Sequence, residues 1–169
     1  STVLTDNDTG MAWTKAKSLL LFSWAPSATV VGSHSMVRGV LTDGRVDFHR
    51  EGGTGTISGS YQVLSFARGT AQHSQVVIPA TRTTPTSQPT ITSVDTTRSL
   101  LQTSCSYSAS SNNLNSKTVL AYIQSATALN FSRDGTAGDL TCEYQVMTFP
   151  SNMITTRTPR VTSADTGNR

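Results

Sequence analysis

Apolar residues recur at alternate positions in short runs along this chain. Val46, Phe48 and Arg50 fall on one side of an extended segment and Arg45, Asp47 and His49 on the other. Ile57, Gly59, Tyr61 and Val63 share a face of the next segment. A period of two is what a strand imposes. Turn residues punctuate the runs: TDG at 42–44, EGGTG at 51–55, SSNN at 110–113 and DGTAG at 134–138. The pattern predicts strands over about 18–25, 35–41, 45–50, 56–66, 73–79 and 90–95. It predicts a second set over about 98–107, 117–124, 128–133, 139–149, 153–158 and 160–164. No window carries a helical stripe, although 7–20 has room for a turn or two of helix.

The second set repeats the first. Residues 48–66 (FHREGGTGTISGSYQVLSF) align without a gap on 131–149 (FSRDGTAGDLTCEYQVMTF), eight of nineteen positions being identical. The shift is 83 residues here and 81 for KSLLLFSW (17–24) on RSLLQTSC (98–105). ITSVDTT (91–97) resembles VTSADTG (161–167), which predicts a closing strand in each repeat. The repeated stretch reads as a β-hairpin. The glycines after Arg50 supply a turn that admits positive φ, and a return strand follows. The predicted core of the repeats is Phe48, Tyr61, Val63 and Phe66 with their counterparts Phe131, Tyr144, Val146 and Phe149. Leu64 and Phe66 break the alternation, which implies a bulge or a different packing partner. The polar residues kept in both copies, Gln62 with Gln145 and Arg50 with Arg133, are expected to hydrogen-bond inside the fold.

These features predict an all-β protein of two tandem immunoglobulin-like antiparallel β-sandwich repeats. Residues 1–16 form an N-terminal arm, 17–96 the first repeat and 97–169 the second. Repeats of about 80 residues bury only about 60–65 % of their unfolded surface. Contact with the sister repeat or with other subunits is therefore expected.

Composition fits exposed strands. Charged residues are 14 % of the chain, and Ser and Thr together number 51 of 169, a Thr-rich balance that favours strand over helix. The net charge of +3 is spread without a Lys/Arg cluster, so no basic stripe points to nucleic acid. No apolar run approaches a membrane-spanning length, and no targeting signal is visible.

Catalytic chemistry finds no footing. GGTGTISG (52–59) has glycines like a phosphate loop, but a strand rather than a helix follows it. His34, His49 and His73 lack metal-ligand spacing, and the acidic residues are isolated. The expectation is a non-enzyme without cofactor or metal.

The cysteines say more. Cys142 stands where the first repeat has Gly59, and Cys105 where it has Trp24. Such a joint exchange is expected if the two positions touch across the sandwich. A disulfide and a pair of packed thiols both fit. The loop PATRTTPTSQPT (79–90) reads as an extended insertion inside the first repeat's last hairpin. The arm carries Val3, Leu4, Met11 and Trp13. It either docks on a neighbouring protein, by strand addition or in a groove, or folds back on its own repeat.

Residues 37–69 and 91–101 carry the pattern V-x-F-x-R-x-G-G-T-G running into Y-Q-V and followed by V-D-T-x-R-S, and 120–149 repeats its first part with GTAG for GGTG at the turn and without the RGT of 68–70. The pattern resembles tandem β-sandwich repeats of uncharacterised bacteriophage virion structural proteins. The resemblance implies a virion protein: capsid decoration or cement, tail or fibre. The partners it implies are major capsid or tail proteins, in multiple copies or as a homo-oligomer, without nucleic acid or membrane. It carries over no catalytic residue. The alternative is a host-receptor or glycan-binding adhesin, with a secreted bacterial adhesion module as a third reading.

Overall fold

The computed structural model describes residues 2–6, 12–26, 36–51, 55–108 and 116–151. Ten strands follow in order: β1 (Thr2–Asp6), β2 (Ser18–Pro26), β3 (Arg38–Thr42), β4 (Arg45–Arg50), β5 (Ile57–Ser65), β6 (Thr70–Ile78), β7 (Ser99–Tyr107), β8 (Leu120–Ser125), β9 (Ala128–Ser132) and β10 (Leu140–Thr148). They make an all-β molecule of several antiparallel sheets rather than a barrel: β1-β4-β3, β2-β5, β6-β10-β7 and β8-β9. Of the helical candidate at 7–20, the described residues from 12 onward show a 3-10 turn, Lys15–Lys17.

The two halves are hydrogen-bonded in the same register. Ser18 faces Ser65 and Trp24 faces Gly59 in β2–β5. Ser99 faces Thr148 and Cys105 faces Cys142 in β7–β10. Side-chain details follow the register: the Ser18 and Ser65 hydroxyls are 2.9 Å apart, and those of Ser99 and Thr148 are 2.8 Å apart. The β3–β4 hairpin has its counterpart in β8–β9, where a bulge lies between Ile123 and Ser125.

The sheets do not stop at the boundary between 96 and 97. β6 lies in the first repeat, yet it pairs along its whole length with β10 of the second, from Thr70↔Thr148 to Ile78↔Leu140. The predicted hairpin of 73–79 with 90–95 is therefore absent. Residues 90–95 also form no strand: Thr90 makes one bridge to Ala128, and the segment runs along β9 through Leu129 N–H to Pro89 C=O and Ile91 N–H to Thr127 C=O. The reason is edge supply. β10 has β7 on one side and an open ladder on the other, and β6 fills it. The predicted strands 153–158 and 160–164 lie outside the described residues.

The segment after 90 ends in a tight turn. The Asp95 carboxylate accepts bonds from the Thr97 hydroxyl at 2.6 Å, the Thr97 N–H and Arg98 Nε. These donors, Thr97 first, hold its pKa at about 2.

The arm folds back. β1 pairs with β4, Thr2 opposite Arg50 and Asp6 opposite Val46. Trp13 is buried in a cluster with Leu20, Leu41 and Val46, and its indole N–H donates to Thr42 C=O at 2.9 Å. This corrects the docking-arm expectation for Trp13: the largest apolar group of the arm closes its own repeat. Met11 and the side chains of Val3 and Leu4 lie outside what is described.

The core is unequal between the halves. Phe131, Tyr144, Val146 and Phe149 are buried, whereas Phe48, Tyr61, Val63 and Phe66 are half-buried. The second repeat's cluster contains Ile78, Tyr107, Leu129, Phe131, Leu140 and Tyr144, Ile78 arriving on β6. A third cluster joins the repeats: Leu19, Met147 and Phe149, with Phe66 and Ala71 against it. Phe66 meets Phe149 edge to face at 5.3 Å. That contact, rather than a bulge in β5, explains why Phe66 left the alternation. Leu64 is exposed, at 39 %.

Candidate functional site

Two features of the described residues could do work: the joint between the repeats and an aromatic cleft in the first. The joint is built on β10, which is buried on both faces. Alternation sends Cys142, Tyr144 and Val146 into the second repeat's core. It sends Glu143, Gln145 and Met147 toward the first. Gln145 is 3 % exposed. Its amide treats Leu20 as a strand neighbour would: Oε1 accepts from Leu20 N–H at 2.7 Å, and Nε2 donates to Leu20 C=O at 3.2 Å. Gln72 does the same with Thr92, and Gln88 with Phe131. A primary amide carries one donor and one acceptor at peptide spacing, so glutamine can satisfy an edge that has no strand beside it.

Ser104 on β7 completes the joint. Its hydroxyl accepts from Gly39 N–H at 3.1 Å. Gly39 itself sits so close to β2 that an added Cβ would stand 2.6 Å from the Phe22 ring. Arg38 and Glu143 meet at 3.5 Å with both side chains nearly covered. Burial pushes the Glu143 carboxyl up, against the opposing pull of Arg38. Face residues of one sheet thus plug the backbone edges of β2 and β3.

Gln145→Leu leaves the Leu20 N–H and C=O buried without partners, each costing about 1–3 kcal/mol. The variant is expected to lose about 2–3 kcal/mol in chemical denaturation. Gln62→Leu, at the exposed counterpart position, is expected to stay within about 0.5 kcal/mol. Equal losses would show that the two-point bond carries nothing.

The cleft lies in the first repeat. Trp24, Phe22, Phe48 and Tyr61 form a chain of rings with successive centroids 5.3, 5.2 and 5.6 Å apart. They line a space of about 290 Å³ together with His49 and Arg50. Trp24 is 40 % exposed. Burial, and then the Arg38 guanidinium, lower the His49 imidazole below its ordinary value, so it is neutral at pH 7. Gly59 opposite Trp24 is required by contact: a Cβ there would stand 2.6 Å from the Ser23 carbonyl oxygen.

In the second repeat the same place is shut. Cys105 and Cys142 form a disulfide, with Cα atoms 4.0 Å apart. They are neighbours on adjacent strands of one sheet, not residues meeting across a sandwich, which corrects the geometry read from the sequence. The exchange of Trp24/Gly59 for Cys105/Cys142 is an exchange between two directly opposed pairs.

Comparison with family models, with curated proteins and with solved structures finds no match to this chain. The site is therefore read from its own residues. Arg133 is buried and donates to the carbonyls of Arg82, Ser116 and Pro79, so it clamps the 79–90 loop. Arg50 donates to Gly55 C=O within its own turn. Gln62, unlike Gln145, is exposed. Sequence reasoning missed Ser104, Arg38 and Glu143. Only Ser104 left a signal, since Ser23 stands at its repeat position. Among the described residues no group of three His, Cys, Asp or Glu side chains could hold a metal ion, and no helix is long and apolar enough to cross a membrane.

Proposed function

We propose that this chain is a non-enzymatic structural protein of a bacteriophage particle, built as two tandem immunoglobulin-like β-sandwiches and working by docking on other virion proteins as a capsid decoration, tail or fibre component. One observation carries the docking reading: β6 leaves the first repeat and completes the sheet of the second. Strand addition of this kind joins modules through main-chain hydrogen bonds and needs no chemistry beyond an open edge. The Cys105–Cys142 bridge suits an oxidising, extracellular particle. The phage assignment itself comes from the repeat pattern at 37–69 and 120–149.

Mass spectrometry of purified particles of the source phage tests it. The chain should be present at tens to hundreds of copies for a capsid or tail-tube role, or at a handful for a tip or fibre. Absence from particles would overturn the assignment.

A second reading, a glycan-binding adhesin, is favoured by the ring chain Trp24–Phe22–Phe48–Tyr61. Exposed indole faces stack on sugar rings, and Arg50 and His49 stand beside them. Titrating host-surface polysaccharide against Trp fluorescence, in the parent and in Trp24→Ala, separates the readings. A saturable change confined to the parent supports the adhesin, and no change removes it.

A further inference from the structure

We propose that the joint inside the chain is repeated between chains, so that copies associate head to tail: the β7–β8 edge of one copy's second repeat docks on the β2–β5 face of another copy's first repeat. This inference rests on the docking role above and names the partner as a second copy.

The joint within the chain is one-sided. The second repeat contributes a face (Ser104, Glu143, Gln145, Met147), and the first contributes two edges, at Leu19–Leu20 and Arg38–Gly39. Each repeat therefore retains the half that it does not use. The counterparts of the four face residues are Ser23, Ser60, Gln62 and Leu64, and all four are exposed. The two that bond backbone are unchanged in kind: Ser23 for Ser104, and Gln62 for Gln145. The unused edge lies on the second repeat. Leu19 is 2 % exposed, while its counterpart Leu100 is 43 % exposed. Leu101 stands for Leu20. Leu120, opposite Ser132 as Arg38 is opposite His49, is 45 % exposed.

Three of the six exposed large apolar residues, Leu64, Leu100 and Leu120, thus occupy repeat positions that are buried at the internal joint. An apolar residue in water at one repeat position and under a partner at the other marks a surface built for the same contact. The pairing between copies lacks the buried ion pair, since Leu120 and Ser60 replace Arg38 and Glu143. It is therefore free of that desolvation cost. A contact of face on edge is heterologous, so it propagates into a ring or filament instead of stopping at a symmetric dimer.

Sedimentation of the purified, oxidised chain tests this with two charge insertions at exposed sites, Leu64→Arg on the face and Leu100→Arg on the edge. The parent is expected to show a mass that rises past the dimer with concentration, or a closed ring. Each variant alone should drop to monomer with its circular dichroism and melting temperature retained. Mixing the two should restore dimers and nothing larger, because one intact face meets one intact edge. A parent monomeric at its highest soluble concentration overturns the inference, as do variants that associate like the parent, or a mixture that stays monomeric. A parent that stops at a symmetric dimer overturns the head-to-tail geometry. These outcomes are separate from the virion assignment: a monomeric chain found in particles sinks self-pairing alone, and absence from particles sinks the assignment whatever the isolated chain does.

Discussion

Reduction of the Cys105–Cys142 bridge is expected to lower stability by about 4 kcal/mol, the chain-entropy value for a closed loop of this length. The bridge spans 37 residues, which include the β8–β9 hairpin. In the reduced, unfolded chain those residues regain freedom that the oxidised chain never has. The folded state loses little, because the two cysteines are direct partners in the β7–β10 ladder and the ladder holds them together without the bond. Denaturation with and without reductant, repeated on the Cys105→Ala/Cys142→Ala double variant, measures the effect. Reductant should leave the double variant unchanged. A loss under about 1 kcal/mol in the parent would mean that the unfolded chain is already constrained there.

Truncation of the repeated tyrosines is expected to split them. Tyr144 is 5 % exposed and lies 5.9 Å, ring to ring, from the fully buried Phe131. Tyr144→Ala should cost about 3–5 kcal/mol, the range for a large buried aromatic. Tyr61 occupies the same register position in β5, but it is half-buried at the wall of the cleft. Tyr61→Ala should cost about half as much, since less apolar area returns to water. The inequality is the test. Equal midpoint shifts in urea would mean that the first repeat is as tightly packed as the second.

This contrast shows where reading by repeat fails. Identical letters at 61 and 144 led to equal core positions, but depth depends on what covers the sheet. β10 has β6 beside it, and its outer face is capped by the edges of β2 and β3. β5 has neither among the described residues. The same difference separates Gln145, bonded to Leu20 at both ends of its amide, from the exposed Gln62. Trp13 illustrates another limit. Its apolar bulk was legible and its destination was not, because an arm beside an open β4 edge and an arm reaching for a neighbour share one composition.

By itself the sequence determined the local structure. Alternation and turn residues placed β2, β4, β5, β7 and β10 to within a residue or two. Self-comparison of the chain paired Trp24 with Gly59 and Cys105 with Cys142. These are short-range properties, set by side-chain parity, glycine turns and a repeated register. Only the tertiary structure decided which strand lies beside which: β6 on β10 across the repeat boundary, β1 on β4, and glutamine amides where no strand arrives. The physical reason is that main-chain groups are the same in every residue. A ladder edge accepts whatever strand or amide can reach it, so the choice is made by geometry between distant segments, and no local pattern records it.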